Sequence, residues 1–246
     1  MKFENRLVLS AMAGINNAEF CKKHKASLLI LGGFNADKGA MEAGKKVIER
    51  GRKEFIFEDP LDGIERELKS IYGRKFAVNI RSSTLDGYLE VARLVENYNG
   101  ILEINAHCRQ PEFIAKRCGE WLLFNLEDLI RIVRAVSKIV LTAVKIRGSH
   151  KLDYYSICKK LFENGCKIVH LDAMIPNGGC ELELIRRISN LGFLIGNNSF
   201  IDKSSGEKII FSGAKMASAA RAVLKDEIFF EKMLQSRILS QPVFLE

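Results

Sequence analysis

Proline is scarce in this chain, with only Pro60, Pro111, Pro176 and Pro242, and no serine- and proline-rich tract marks a linker. A single folded unit is therefore expected over residues 1–246, a length that one domain accommodates. No apolar run approaches the length that crosses a bilayer, so no membrane association is expected. In the opening MKFENRLVLSAMAG, Glu4 and Asn5 interrupt the apolar stretch, which reads as a first strand and not as a signal peptide. Cysteine is present at six positions (Cys21, Cys108, Cys118, Cys158, Cys166, Cys180), but no two form a CxxC pair. That absence argues against a zinc knuckle or a redox dithiol. A chain of this length has core enough without disulfide staples, and several of these thiols fall inside helical patterns as small core residues. A reducing, cytoplasmic compartment is the expectation. The four histidines lack paired-ligand spacing, so no metal is expected. No nucleophile-elbow pattern of the Gly-x-Ser-x-Gly kind occurs, which leaves a serine hydrolase without support.

What is present begins with charge. Thirty-eight Lys and Arg against thirty Asp and Glu give a net charge of +8, which suits a polyanionic partner such as RNA. The basic residues are spread along the chain, mildly concentrated at 22–25, 45–53 and 131–147, and form no tail.

Short β-branched runs then alternate with helical patterns. The spacing predicts strands over 7–12, 28–31, 76–80, 101–104, 140–146, 168–171 and 193–195. Between them it predicts helices over 85–98, 152–162 and 181–190. Another follows Asn125, an expected N-cap with Asp128 at the capping-box position. A longer excursion over 35–72 holds two helical patterns, near 42–49 and 61–71, and a terminal helix is expected over about 226–239. The eighth unit has two readings. Either 208–211 is a strand, or a helix runs from Asp202 to Gly213 and 215–219 is the strand; the second keeps the helix–glycine–strand rhythm and is preferred. Eight parallel strands in a chain of this length predict a closed (β/α)8 TIM barrel. The rival open sheet calls for a glycine-rich fingerprint after the first strand, where Gly14 stands alone.

In such a barrel, chemistry sits where strands end. There the chain carries Asn79 and Arg81, then Glu103, Asn105, His107, Cys108 and Arg109, then Lys145, Arg147 and His150, then His170 and Asp172, then Asn197, and finally Ala220 and Arg221. The competing reading is that Asn105, Lys145 and His170 form a structural network filling the barrel. Several polar strand ends together favour a ligand site, because a barrel built only for stability would place Val, Ile and Leu there. Lys and Asn suit a polar, partly anionic ring. Gly196 and the Ala220–Arg221 turn suit a phosphate.

These motifs resemble the dihydrouridine synthase family and, more loosely, the dihydroorotate dehydrogenases, both FMN-binding barrels. The similar segments are SAMAG (10–14), FAVNIRS (76–82), LEINAHCRQPE (102–112), VKIRG (144–148), IVHLDAM (168–174), IGNNSF (195–200) and GAKMASAARAVL (213–224), in family order across essentially the whole barrel. The resemblance implies FMN as cofactor, NADPH or NADH as reductant, and reduction of the C5–C6 double bond of an RNA uridine. It implies that Met12, Ala13, Asn79, Asn105, Lys145, His170, Asn197, Ala220 and Arg221 contact the flavin or its phosphate. Cys108 would be the acid that protonates C5, and Arg109, Arg147 and Lys151 would meet substrate or RNA at the rim. A flavin oxidoreductase acting on a free pyrimidine, and a non-catalytic barrel acting through partners, are the alternatives. The chain departs from the family at four places. Ala11 replaces a proline, His107-Cys108-Arg109 replaces Gly-Cys-Pro, and Ala220 replaces a glycine. After Asp226 one helix is expected where the synthases carry a helical RNA-binding domain, so a weaker grip on tRNA is expected.

Overall fold

In the computed structural model, which describes residues 1–246, eight parallel strands close into a barrel. They are β1 (Leu7–Leu9), β2 (Leu28–Asn35), β3 (Phe76–Arg81), β4 (Ile101–Ala106), β5 (Thr142–Arg147), β6 (Ile168–Asp172), β7 (Phe193–Asn197) and β8 (Met216–Ala219). Each pairs with its neighbour in chain order, and β8 closes on β1. The helices of the outer ring are α1 (Ala18–Lys22), α3 (Pro60–Ile71), α4 (Leu85–Asn97), α5 (Leu126–Val136), α6 (Tyr154–Glu163), α7 (Leu182–Ile188) and α8 (Lys203–Phe211); α2 (Lys38–Glu49) is the extra helix of the second unit. The (β/α)8 barrel expected from the rhythm is therefore the fold, and the second reading of the eighth unit is the one the chain adopts.

Helix starts are set by local chemistry. Asn17, Asp37, Asp59, Thr84, Asp153 and Asp202 each accept a hydrogen bond from a first-turn backbone N–H. Asn125 does not. Its side chain instead donates to the carbonyl of Trp121 at 2.7 Å, finishing the turn Trp121–Phe124, so the expected capping box with Asp128 does not form. His24 lies just beyond α1 and not on it.

Three boundaries differ from the sequence reading. β1 stops at Leu9 because the carbonyl of Met12 accepts from the N–H groups of Ile15 and Asn16, which folds 12–16 into a turn. The excursion is shorter than 35–72: β2 itself runs to Asn35, and α3 packs between α1 and α4 as an ordinary ring helix. Only residues 36–59, α2 and the strap that follows it, are extra. The helix expected over 226–239 is instead two short ones, Ala222–Lys225 and Phe229–Met233. Asp226 is extended between them, and the Ser236 hydroxyl accepts from the N–H groups of Ile238 and Leu239 to turn the chain.

Alternate residues of each strand face the barrel interior, and reading them in layers locates the site. The lower layer is apolar: Val8, Leu28, Ile30, Ala77, Ile101, Ala143, Ile168, Phe193 and Met216 form one cluster with Phe3. A two-stranded ribbon of Lys2–Phe3 and Val243–Phe244 carries Phe3, fully buried, into this cluster. Two residues further along the strands the interior turns polar, with Ser10, Asn79, Glu103, Lys145, His170 and Ser218, all buried.

Candidate active site

The polar layer is one hydrogen-bonded chain. The Glu103 carboxylate accepts from Asn79 Nδ2 at 2.7 Å and from His170 Nδ1 at 2.7 Å, and His170 Nε2 meets Ser218 Oγ at 2.8 Å. Strand register sets these meetings: Asn79 lies opposite Glu103, and Asn105, Lys145 and His170 lie in one row across β4, β5 and β6. Burial and the nearby Lys145 charge lower the His170 pKa, opposed by Glu103; a carboxylate only accepts, so Nδ1 carries the proton shared with Glu103. Asn105 Nδ2 donates to Asn79 Oδ1 at 2.8 Å. Asn105 Oδ1 accepts in turn from the N–H groups of His107 (3.1 Å) and Cys108 (2.8 Å). The network thus reaches from the barrel interior to the loop after β4 and fixes that loop's start.

Lys145 stands beside this chain. Its Nζ donates to Ser10 Oγ at 2.5 Å and has no other hydrogen-bond partner. Burial lowers its pKa, opposed by Glu103 and Asp172. Two N–H groups of a buried ammonium are thereby left to point elsewhere.

Above this layer open two adjoining cavities of about 690 and 550 Å³, within the range of small-molecule sites. Lys145, His107, Arg109, Arg147, Ala220 and Arg221 line both. The first also reaches Met12, Ala13, Asn79, Asn105 and Cys108, and the second reaches Asn197. Most of the residues singled out from the sequence therefore meet at one mouth. Two do not. His170 is fully buried beneath the cavity floor, because its ring is held between Glu103 and Ser218 with both nitrogens engaged, whereas Lys145 of the same row reaches the cavity. Lys151 is exposed and lines neither cavity; the same loop instead turns His150 onto Glu120 at 2.7 Å.

The strap after α2 completes the first cavity. Gly14, at φ +70°, lets it approach: a Cβ there would lie 2.5 Å from that of Lys53. Glu54, from the strap, forms an ion pair with the fully buried Arg81, which also donates to the carbonyl of Gly33 at 2.7 Å. The Arg81 guanidinium lies over the Phe113 ring, 3.8 Å from its centroid, and its Nη1 is 3.8 Å from Cys108 Sγ. The Cys108 carbonyl accepts from the N–H of Glu120 at 2.8 Å; Gly119 passes so close that a Cβ would fall 2.3 Å from that oxygen. The thiol is thus presented by a braced loop at the edge of the cavity.

Sequence reasoning named Arg81, His107, Glu103 and Asp172 as strand-end residues without giving them roles. Ser10 and Ser218 were legible only once period-two facing was applied to β1 and β8. Glu54 carries no local signal, because its partner is 27 residues away.

The cavity is electropositive. Arg52, Lys53, Arg109, Arg221 and Lys225 line it without an ion pair, whereas its acids, Glu54 and Asp172, are each paired with arginine. At the β8 corner the backbone N–H groups of Ala220, Arg221 and Ala222 donate no hydrogen bond within the protein. A phosphorylated planar ring fits this donor set: free N–H groups and a guanidinium at one corner, and a buried ammonium under the open space.

No protein-family model matches this chain. It is 26% identical over 249 residues to an uncharacterized protein of Methanocaldococcus jannaschii, covering 95% of each chain. Solved structures of FabK from Thermotoga maritima and of a mutant of it superpose with TM-scores of 0.60 and 0.58 at 10% and 12% identity. Both cover 90% of this chain, which spans 60% and 63% of theirs. That likeness is one of fold. It agrees with the closed eight-stranded parallel barrel described above. No helix is long and apolar enough to cross a membrane.

Proposed function

We propose that the protein is an FMN-dependent oxidoreductase that reduces the C5–C6 double bond of a pyrimidine ring, with a uridine of RNA as substrate. The observation that carries this reading is Lys145, a buried ammonium with one partner, beneath an electropositive cavity whose β8 corner offers unengaged backbone N–H groups. Bound there, FMN would supply hydride transfer. Lys145 would hold the polar edge of the ring and the Ala220–Arg221 corner its phosphate. Cys108 lines the first cavity from the braced loop, where it would deliver a proton to the ring. The unpaired Arg52, Lys53, Arg109, Arg221 and Lys225 at the mouth support an RNA strand as the carrier of that ring. A uridine in folded RNA would have to leave its stack to enter.

Purified protein tests the cofactor: it should release a chromophore with the absorption of an oxidised flavin, or take up added FMN. Colourless protein that binds no FMN would overturn the reading. Mass spectrometry of tRNA incubated with the FMN-loaded protein and NADPH or NADH should show a uridine heavier by two hydrogens. Reduction of free pyrimidines alone would transfer the assignment to a small-molecule substrate.

A further inference from the structure

His107 stands where the resembling family has glycine, and the structure gives it a specific partner set. Its Nε2 lies 2.6 Å from Asp172 Oδ2, and Arg147 Nη2 lies 2.8 Å from the same nitrogen. Only one of these can be a hydrogen bond to that atom. A carboxylate is acceptor-only, so a 2.6 Å contact requires the proton on Nε2. Arg147 then directs its charge at Asp172, with Nη1 at 3.2 Å. Burial by itself would raise the Asp172 carboxyl, but the hydrogen bonds from His107 and Asn198 and the Arg147 charge outweigh it and keep Asp172 ionised. His107 is pushed down to about 4, chiefly by burial, and is neutral at physiological pH. Its Nδ1 therefore carries a lone pair. That atom makes no hydrogen bond in the protein and is not enclosed, and the ring lines both cavities.

The other side-chain amides and acids of the first cavity are engaged. Glu54 is held by Arg81, Asn79 Oδ1 by Asn105, Asn105 Oδ1 by two backbone N–H groups, and Gln110 Oε1 by Arg50. Open donors, by contrast, share the cavity lining with His107: Arg109, two residues on, has no partner, and Lys145 has one. The complement of one acceptor flanked by donors is one N–H flanked by carbonyls. We infer that His107 Nδ1, its ring fixed by Asp172 and its cavity shared with the donors Lys145 and Arg109, reads the imide edge of a uracil-type ring and so determines the specificity of the site. Cytosine presents a ring nitrogen lone pair and an amino group at that edge and would face His107 lone pair to lone pair. The inference rests on the pyrimidine reading proposed above.

Calorimetric titration of the full-length protein with UMP, N3-methyl-UMP and CMP tests it, run with and without added FMN. UMP should bind at least about tenfold more tightly than either analogue, because each leaves His107 unsatisfied. In His107→Leu the three should fall within about threefold of one another, with UMP weakened most. Asp172→Asn keeps its oxygen toward Asn198 and turns an N–H toward His107 Nε2. The ring proton then moves to Nδ1, and CMP should gain on UMP. A short oligouridylate strand beside UMP separates the two carriers of the ring: the N3-methyl penalty is expected in both, with tighter binding to the strand if RNA is the carrier. Equal affinity of the wild-type protein for UMP and N3-methyl-UMP would overturn the imide inference without touching the cofactor. Absence of FMN binding would overturn the cofactor without touching the imide inference. An undiminished UMP preference in a folded His107→Leu protein would also overturn it.

Discussion

Cys108 and Lys145 divide the expected chemistry between a thiol at the cavity edge and an ammonium at its floor, and each makes a separable prediction. Cys108→Ala removes an acid but no part of the buried network, since the loop is held through its backbone. Reduction of the pyrimidine should fall by about 10²–10⁴-fold while flavin content stays unchanged, measured by turnover and by absorbance of the same preparation. An unaltered rate would remove the acid role. Lys145→Met keeps length and loses the charge. Flavin affinity should drop by about tenfold or more, read by fluorescence titration, with the fold intact by circular dichroism. Retained affinity would leave Lys145 as no more than the partner of Ser10. His170 illustrates what sequence leaves open about a strand-end residue. It shares a row with Lys145, but its two ring nitrogens are taken by Glu103 and Ser218, and no spacing in the sequence joins those partners.

Helices and loops at the mouth are organised by Asp37, a residue of no obvious chemical interest in the sequence. It caps α2 through the N–H of Ala40 and gathers the hydroxyls of Ser82, Ser83 and Thr84 ahead of α4. Burial alone would raise its pKa, but these hydrogen bonds outweigh it and hold the carboxyl below its usual value. Asp37→Ala should cost about 2–3 kcal/mol by denaturant unfolding. A depressed carboxyl contributes stability above its unfolded pKa of about 3.9 and loses it as pH falls through the lower, folded value. The Tm gap between wild type and variant should therefore be full at neutral pH and narrow below about pH 4. A gap that is constant with pH would remove the charge from the account. The elements themselves were largely legible, since period-two strands and capped amphipathic helices write their own boundaries. Two of the failures come from side chains that serve a turn and not a helix. Asn125 serves the turn before it instead of the helix after it. Ser236 ends by turning the chain what looked like a continuous terminal helix. The Glu54–Arg81 pair and the strap that brings it were not legible, because no spacing rule joins two residues through an excursion.

At the scale of the molecule the barrel interior is two materials stacked along one axis. The lower is apolar and sealed by the ribbon that carries Phe3; the upper is a hydrogen-bonded polar layer under the cavity. Phe3→Ala should lower unfolding free energy by about 3–5 kcal/mol, since the ring is fully enclosed. It should leave FMN affinity unchanged, because of the cavity-lining side chains only Ala11 packs against that cluster. Weaker flavin binding in proportion to the lost stability would mean the two layers respond as one.

The ribbon beneath the barrel has a practical consequence. The two strands that form it are the first and last of the chain, and the amino group of Met1 meets the carbonyl of Leu245 at 2.6 Å. Affinity handles or fluorophores grafted at either end would sit at the end of the barrel away from the two cavities. Immobilising the protein by its ends should therefore leave that opening facing the bulk solution, and surface-based binding assays should report the same affinities as free protein.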